Sequence, residues 1–160
     1  MVFTGFPRNV RYTPVPNPLF GKLLEQIDDL DEMKCTLRVI WVLHHKKGYP
    51  RFVSATEITS DPTLIQSLSN KPTDPANKPT DPVERINSAL QKAVNRGTLL
   101  TSTVAREGGR QKVYTLNTFP YRKVISDTEN VHADQFQSDL GNIGQSSKER
   151  PNIFSLYEAN

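Results

Sequence analysis

A chain of 160 residues with 20 Lys and Arg against 17 Asp and Glu, one Cys and 36% hydrophobic residues has room for one domain with a sizeable core, or two only if both are small. Its single Cys35 excludes an internal disulfide, and no apolar run approaches the length of a bilayer span, the longest being Val39 to Leu43. The first nine residues lack the basic-then-apolar pattern of a signal peptide, so the expected setting is the cytoplasm, away from membranes.

The net charge of +3 is modest, but it is unevenly distributed. Between Val83 and Lys123 stand eight bases (Arg85, Lys92, Arg96, Arg106, Arg110, Lys112, Arg122, Lys123) and two acids (Glu84, Glu107), a local excess of +6. From Val124 onward two bases face six acids, a net of −4. A focused positive segment is the electrostatic footprint expected of a phosphate-binding surface.

Residues 1–9 are expected to be a flexible N-terminus, with a globular unit over 10–126. Val10 to Pro18 reads as an extended arm, an edge strand or a polyproline segment, because Pro14, Pro16 and Pro18 exclude a helix. Asn17 followed by Pro18 then reads as a cap and first-turn proline, with Leu19, Phe20, Leu23, Leu24 and Ile27 forming the stripe of a short amphipathic helix. A second helix opens at Asp29, with Glu32 three residues on completing an Asp-led capping box. Leu30, Met33, Leu37, Ile40 and Trp41 follow helical spacing, and Val39, Val42 and Leu43 widen the stripe until little polar face remains. This is the expected central core helix. His44, His45, Lys46 and Lys47 place cations at its C-terminal end, and Gly48 is suited to stop it.

Arg51 to Ser54 reads as a short strand. Ser54 with Glu57, then Ser60 or Asp61 before Pro62, announces one broken helix or two short ones through Leu68, with Ile58, Leu64, Ile65 and Leu68 inward. Lys71-Pro72-Thr73-Asp74-Pro75 recurs seven residues later as Lys78-Pro79-Thr80-Asp81-Pro82. This proline-dense stretch, 69–81, holds too few apolar groups to pack and is expected to be an exposed loop.

Asp81 and Pro82 start a third helix with Val83, Ile86, Ala89, Leu90, Ala93 and Val94 on one face, and Gly97 ends it. Leu99–Val104 and Gln111–Leu116 are β-rich runs around Gly108-Gly109, a pair suited to the primed turns of tight hairpins. Helix followed by hairpin is how a winged helix-turn-helix ends, so the expected fold class is mostly α with a small β-hairpin (α+β), preceded by the extended arm. A further short helix is expected near Pro120 to Ser126. Residues 127–150 read as an acidic, polar linker.

Opposite its apolar stripe the third helix carries Glu84, Ser88, Gln91, Lys92 and Asn95, flanked by Arg85 and Arg96, while Arg106, Arg110 and Lys112 gather near the hairpin tip; of these, all but Glu84 can serve nucleic acid. These nine residues are the candidate DNA-contacting set, since Lys and Arg neutralise phosphates while Ser, Gln and Asn read base edges or phosphates. Ordinary solvated charge is the alternative reading of the same pattern. The long 69–81 loop also departs from the three- or four-residue turn of a helix-turn-helix, which keeps a protein-interaction role open.

No catalytic constellation appears. His44 and His45 are adjacent and so diverge by about 100° on a helix, which makes them poor joint metal ligands. Cys35, Met33 and Trp41 lie in the core helix and read as packing residues. Asp28, Asp29 and Asp31 are accounted for by helix capping, and no phosphate loop or nucleophile elbow is present. The chain is expected to be no enzyme and to need no cofactor and no metal.

Four segments resemble one known family. Tyr12-Thr13-Pro14-Val15-Pro16-Asn17-Pro18-Leu19-Phe20, Leu30-Asp31-Glu32-Met33-Lys34-Cys35-Thr36-Leu37 and Lys47-Gly48-Tyr49-Pro50-Arg51 look like the N-terminal domain of DnaD-type bacterial replication-initiation and primosome proteins. Ile153 to Asn160, ending Tyr157-Glu158-Ala159-Asn160, is similar to the segment that opens that family's second, helical domain. The resemblance implies a winged helix that self-associates through its arm, here Val10, Tyr12, Val15, Leu19 and Phe20, into a homo-oligomer. It implies partners among initiator or helicase-loading proteins, contact with DNA, and a truncated second domain beginning at 151–160. In that family the winged helix is chiefly an oligomerisation and docking module, and DNA binding is assigned mainly to the second domain. The competing expectation from the residues alone is a winged-helix transcriptional regulator that reads a specific operator.

Overall fold

The computed structural model describes residues 2–69 and 81–129. The expected 69–81 loop, apart from its two end residues, and the expected linker and second-domain segment beyond 129 lie outside the described residues.

Residues 2–16 run without regular structure to a 3-10 turn, Asn17–Phe20. Asn17 sits inside this turn and not before it, and no side chain caps it. Gly21 then breaks the chain, so the expected single helix becomes the turn plus a five-residue α1, Lys22–Gln26. The break serves packing: Leu19 and Ile27 are buried with Ile40, and Val15, Leu23 and Met33 close around them. Phe20 and Leu24 stay outside, 63% and 56% exposed.

Helix α2, Leu30–His45, starts at Asp29, whose Oδ1 accepts the Asp31 N–H at 3.3 Å. The expected capping box does not form: Asp29 accepts from the N–H of Asp31 and not of Glu32, and the Glu32 side chain is directed to Arg96. Its buried face is also rotated from the expected one. Cys35, Thr36, Val39, Ile40 and Leu43 point inward, while Leu30, Leu37 and Trp41 lie on the outside. At the far end Lys46 is already extended, and Gly48, at φ +84°, turns the chain two residues later. Arg51 folds back to donate to the carbonyls of Leu43 and His44 in the last turn, where a helix leaves carbonyls short of intrahelical partners, and to that of Gly48 beyond it.

Strand β1 is only Val53–Ser54. Ser54 caps α3, Ala55–Thr59, in a complete capping box with Glu57. Asp61 opens α4, Pro62–Ser69, by accepting from the Leu64 N–H at 3.0 Å. Helix α5, Pro82–Arg96, has the expected cap: Asp81 accepts from Val83 N–H, Pro82 follows, and Gly97 closes it in the left-handed region at φ +93°. Strands β2 (Leu99–Arg106) and β3 (Gly109–Leu116) pair antiparallel with Arg106 opposite Gly109, so Glu107 and Gly108 form the turn. The expected Gly108-Gly109 turn is thus displaced by one residue. Gly108 has a positive φ and Glu107 does not, which excludes the primed turn types. Helix α6, Phe119–Glu129, completes the described chain.

The architecture is mixed: six α-helices and one three-stranded antiparallel sheet of order β1-β3-β2 among the described residues. Val53 registers with Tyr114 and Ser54 with Val113, which brings the short strand beside the hairpin. The main core joins Cys35, Val39 and Leu43 of α2 to Ile58 of α3, Leu64 and Leu68 of α4, and Ile86, Ala89, Leu90 and Ala93 of α5, with Leu99 and Tyr114 from the sheet. A second cluster, Phe52, Val104, Val113 and Ile125, seats α6 on the hairpin. Among the described residues no helix is long and apolar enough to cross a membrane.

Candidate functional site: the α5 and hairpin surface

The periodicity of α5 fixes where its cations go. Arg85, Lys92 and Arg96 are spaced by seven and four residues, which lines them in one stripe along the border of the buried face. That border lies against the start of α2, where Asp29, Asp31 and Glu32 stand within a single turn. Arg85 grips Asp31 with two bonds, Nε to Oδ2 at 3.0 Å and Nη2 to Oδ1 at 2.8 Å, and also donates to the Leu68 carbonyl at the end of α4. Lys92 Nζ meets Asp29 Oδ2 at 2.9 Å. Arg96 makes a second fork, Nε to Glu32 Oε2 at 2.6 Å and Nη2 to Oε1 at 3.0 Å, and donates to the Gln26 carbonyl.

Three acids within four residues at the start of α2 therefore receive cations spread over three turns of α5. These pairs also place negative charge at the N-terminal end of α2, where the helix dipole favours it. The Glu32 side chain is 1% exposed, and its fork to Arg96 satisfies both carboxylate oxygens. By contrast Lys92, 54% exposed, makes a surface pair of small energetic weight.

This arrangement changes the candidate DNA surface. Arg85, Lys92 and Arg96 are drawn against α2, and three of the eight cations of the 83–123 segment are thereby matched by acids, which halves the local excess of +6. Besides Glu84 and the partly exposed Lys92, the polar groups that α5 leaves outward are neutral. Ser88, Gln91 and Asn95 are exposed, and Gln91 donates to Asn95 at 2.9 Å. Lys112 of β3 reaches across to Gln91 Oε1 at 3.5 Å and lies 5.7 Å from the Tyr114 ring centroid. Arg110 is exposed near the turn, and the Arg106 side chain lies outside the described set. The structure thus joins Ser88, Gln91, Asn95 and Lys112 on one surface and withdraws Arg85 and Arg96 from it.

Of the candidate self-association residues, Tyr12 and Phe20 are exposed, at 85% and 63%. Leu19 is buried and the half-buried Val15 packs on it, so both serve the chain's own core; Val10 is half-buried. His45 Nδ1 donates to the Trp41 carbonyl at 2.8 Å. No group of three or more His, Cys, Asp or Glu among the described residues is placed to hold a metal ion. The sequence signal for the α2–α5 pairs was present, in an acid cluster at 29–32 and cations at 85, 92 and 96. It becomes readable only once the two helices are known to pack together.

Burial, and after it the charge of Asp31, pushes the Cys35 thiol from its ordinary 9.0 up to about 12. Burial also lifts the Tyr114 hydroxyl, and the hydrogen bond that Lys92 donates to Asp29 raises Lys92. All three groups hold their protons more tightly folded than unfolded. Their contribution is therefore whole below the unfolded pKa values and is lost as pH rises through the folded ones. For Cys35 that window runs from pH 9.0 to about 12. The urea midpoint should fall across it, and Cys35→Ala should make the fall shallower. In the folded protein at neutral pH the thiol should not react with a disulfide reagent; prompt labelling without denaturant would contradict its burial.

Comparison with protein-family models, with curated proteins and with solved structures finds no match for this chain.

Proposed function

We propose that this chain is the winged-helix module of a DnaD-like bacterial replication-initiation protein, working in the cytoplasm by self-association and by docking to initiator or helicase-loading proteins. Contact with DNA is weak, independent of sequence, and made near the hairpin. It is a binding module and not an enzyme. The observation that carries this reading is the engagement of Arg85, Lys92 and Arg96 by the acids of α2. A helix whose cations brace its neighbour has few left to offer phosphates. The winged-helix reading is supported by element order: α2, short β1, the α3–α4 pair, α5, then a hairpin whose second strand pairs with β1.

Sedimentation of the full chain over a wide concentration range tests the reading. The mass should rise above the 18.1 kDa of one chain, and exchanging the exposed Tyr12 and Phe20 for Ser should return it toward monomer without lowering Tm. A monomer at every concentration that binds no initiator or helicase loader would overturn it. An operator-reading regulator keeps one specific support, the exposed row Ser88, Gln91 and Asn95. Selection from random duplexes would have to yield a motif that Gln91→Ala abolishes.

A further inference from the structure

We propose that the outward face of α2 is a docking site for an acidic amphipathic segment of a protein partner, anchored on Trp41. The inference rests on the reading of the chain as an assembly module and names the chemistry of a partner.

With the buried face of α2 centred on Val39 and Leu43, about 100° per residue places Leu30, Lys34, Leu37 and Trp41 together on the opposite side. The three apolar members are 54%, 43% and 40% exposed. Repetition at intervals of seven and four makes them a continuous stripe, unlike singly scattered surface hydrophobes. The Trp41 ring is held on both sides. The Arg38 guanidinium lies 4.0 Å from its centroid and the His45 ring 4.2 Å, and Arg38 is itself fixed by Asp61 at 3.0 Å. An exposed tryptophan already immobilised loses little freedom on binding, which is the condition under which aromatic anchors contribute most.

Charge selects the occupant. Lys34 lies within the stripe, and His44 and His45 stand at its C-terminal end. The acids Asp31 and Glu32 are both turned toward α5 in ion pairs. From Leu30 to His45 the outward face thus presents three large apolar groups and cationic or imidazole neighbours, with no acid among them. The complement is a helix or peptide with apolar anchors flanked by Asp or Glu. A membrane fits less well, because the opposite face of α2 is locked into the main core and the helix is not free to sink among lipid headgroups.

Trp41 is the only tryptophan in the chain, so its emission reports this face directly. The full-length protein would be titrated with a synthetic helix carrying Leu at helical spacing and Glu on both flanks, and with the same helix carrying Lys for Glu. The acidic helix should shift Trp41 emission to the blue in a saturable manner. The basic helix, and Leu37→Ser protein with unchanged Tm, should each bind about tenfold more weakly or worse. Equal responses to both helices, no response to either, or a response only to anionic phospholipid vesicles would overturn the proposal. So would emission that is already blue-shifted before any peptide is added. If that shift appears only on concentration, a second copy covers the face. A monomeric mass in sedimentation removes self-association alone and leaves this titration interpretable.

Discussion

Replacing Arg96 with Met should lower the thermal midpoint by about 10 °C, even though Arg96 lies at the last turn of its helix. The reason is the partner it abandons. Glu32 has a fully buried carboxylate whose two oxygens both accept from Arg96. Without the fork, the folded state must hold an uncompensated charge or protonate it. The double variant Glu32→Leu with Arg96→Met removes both charges and replaces them with apolar groups of similar volume, and it should recover most of the loss. Circular dichroism melts of the three proteins at neutral pH decide the matter. If the single Met variant melted within the range of an ordinary surface substitution, the pair would be ornamental and α5 would be held to α2 by its apolar face alone.

Arg85→Ala is the second large effect, on the order of 3 kcal/mol. Arg85 and Asp31 are each only 16% exposed at the side chain, and the same guanidinium also reaches the Leu68 carbonyl. One residue therefore links the start of α2, the end of α4 and the first turn of α5. Arg85→Lys should restore less than half of the loss, because an ammonium supplies charge but not the planar fork that meets two carboxylate oxygens and a carbonyl together. Urea unfolding of Arg85→Ala and Arg85→Lys measures this directly. Full rescue by Lys would show that only charge matters at this junction.

Local signals were legible where the chain punctuates itself. Asp81-Pro82 and Gly97 bounded α5 because a cap, a first-turn proline and a left-handed glycine act on neighbouring backbone alone. Ser54 with Glu57 announced α3 for the same reason. The face of α2 was not legible. With Leu30, Met33, Leu37, Val39, Ile40, Trp41, Val42 and Leu43 distributed almost all around the helix, periodicity did not choose between two apolar sides. Glu32 then decided against expectation, since its ion pair with Arg96 draws a carboxylate into the interior. The candidate site shared this difficulty. Arg85, Lys92 and Arg96 have the composition of a phosphate-binding stripe, and only partners more than fifty residues distant in sequence give them another role. Leu19 and Val15, expected to serve self-association, pack instead with Ile27 and Ile40; the stripe of Leu19 and Ile27 was legible, but the break at Gly21 and the partner Ile40 were not.

Lys92 tests most cleanly the proposal that α5 braces α2 and is not a reading head. Its pair with Asp29 is exposed and contributes little to stability, so Lys92→Ala protein should fold like the parent. Fluorescence anisotropy with duplex DNA over a salt series should give the same weak affinity and the same salt slope for Lys92→Ala as for the parent. The double variant Arg110→Ala with Lys112→Ala should flatten the slope, by about 0.9 for each phosphate that is no longer neutralised. Tight, sequence-selective binding by the parent that Lys92→Ala abolishes would contradict the account.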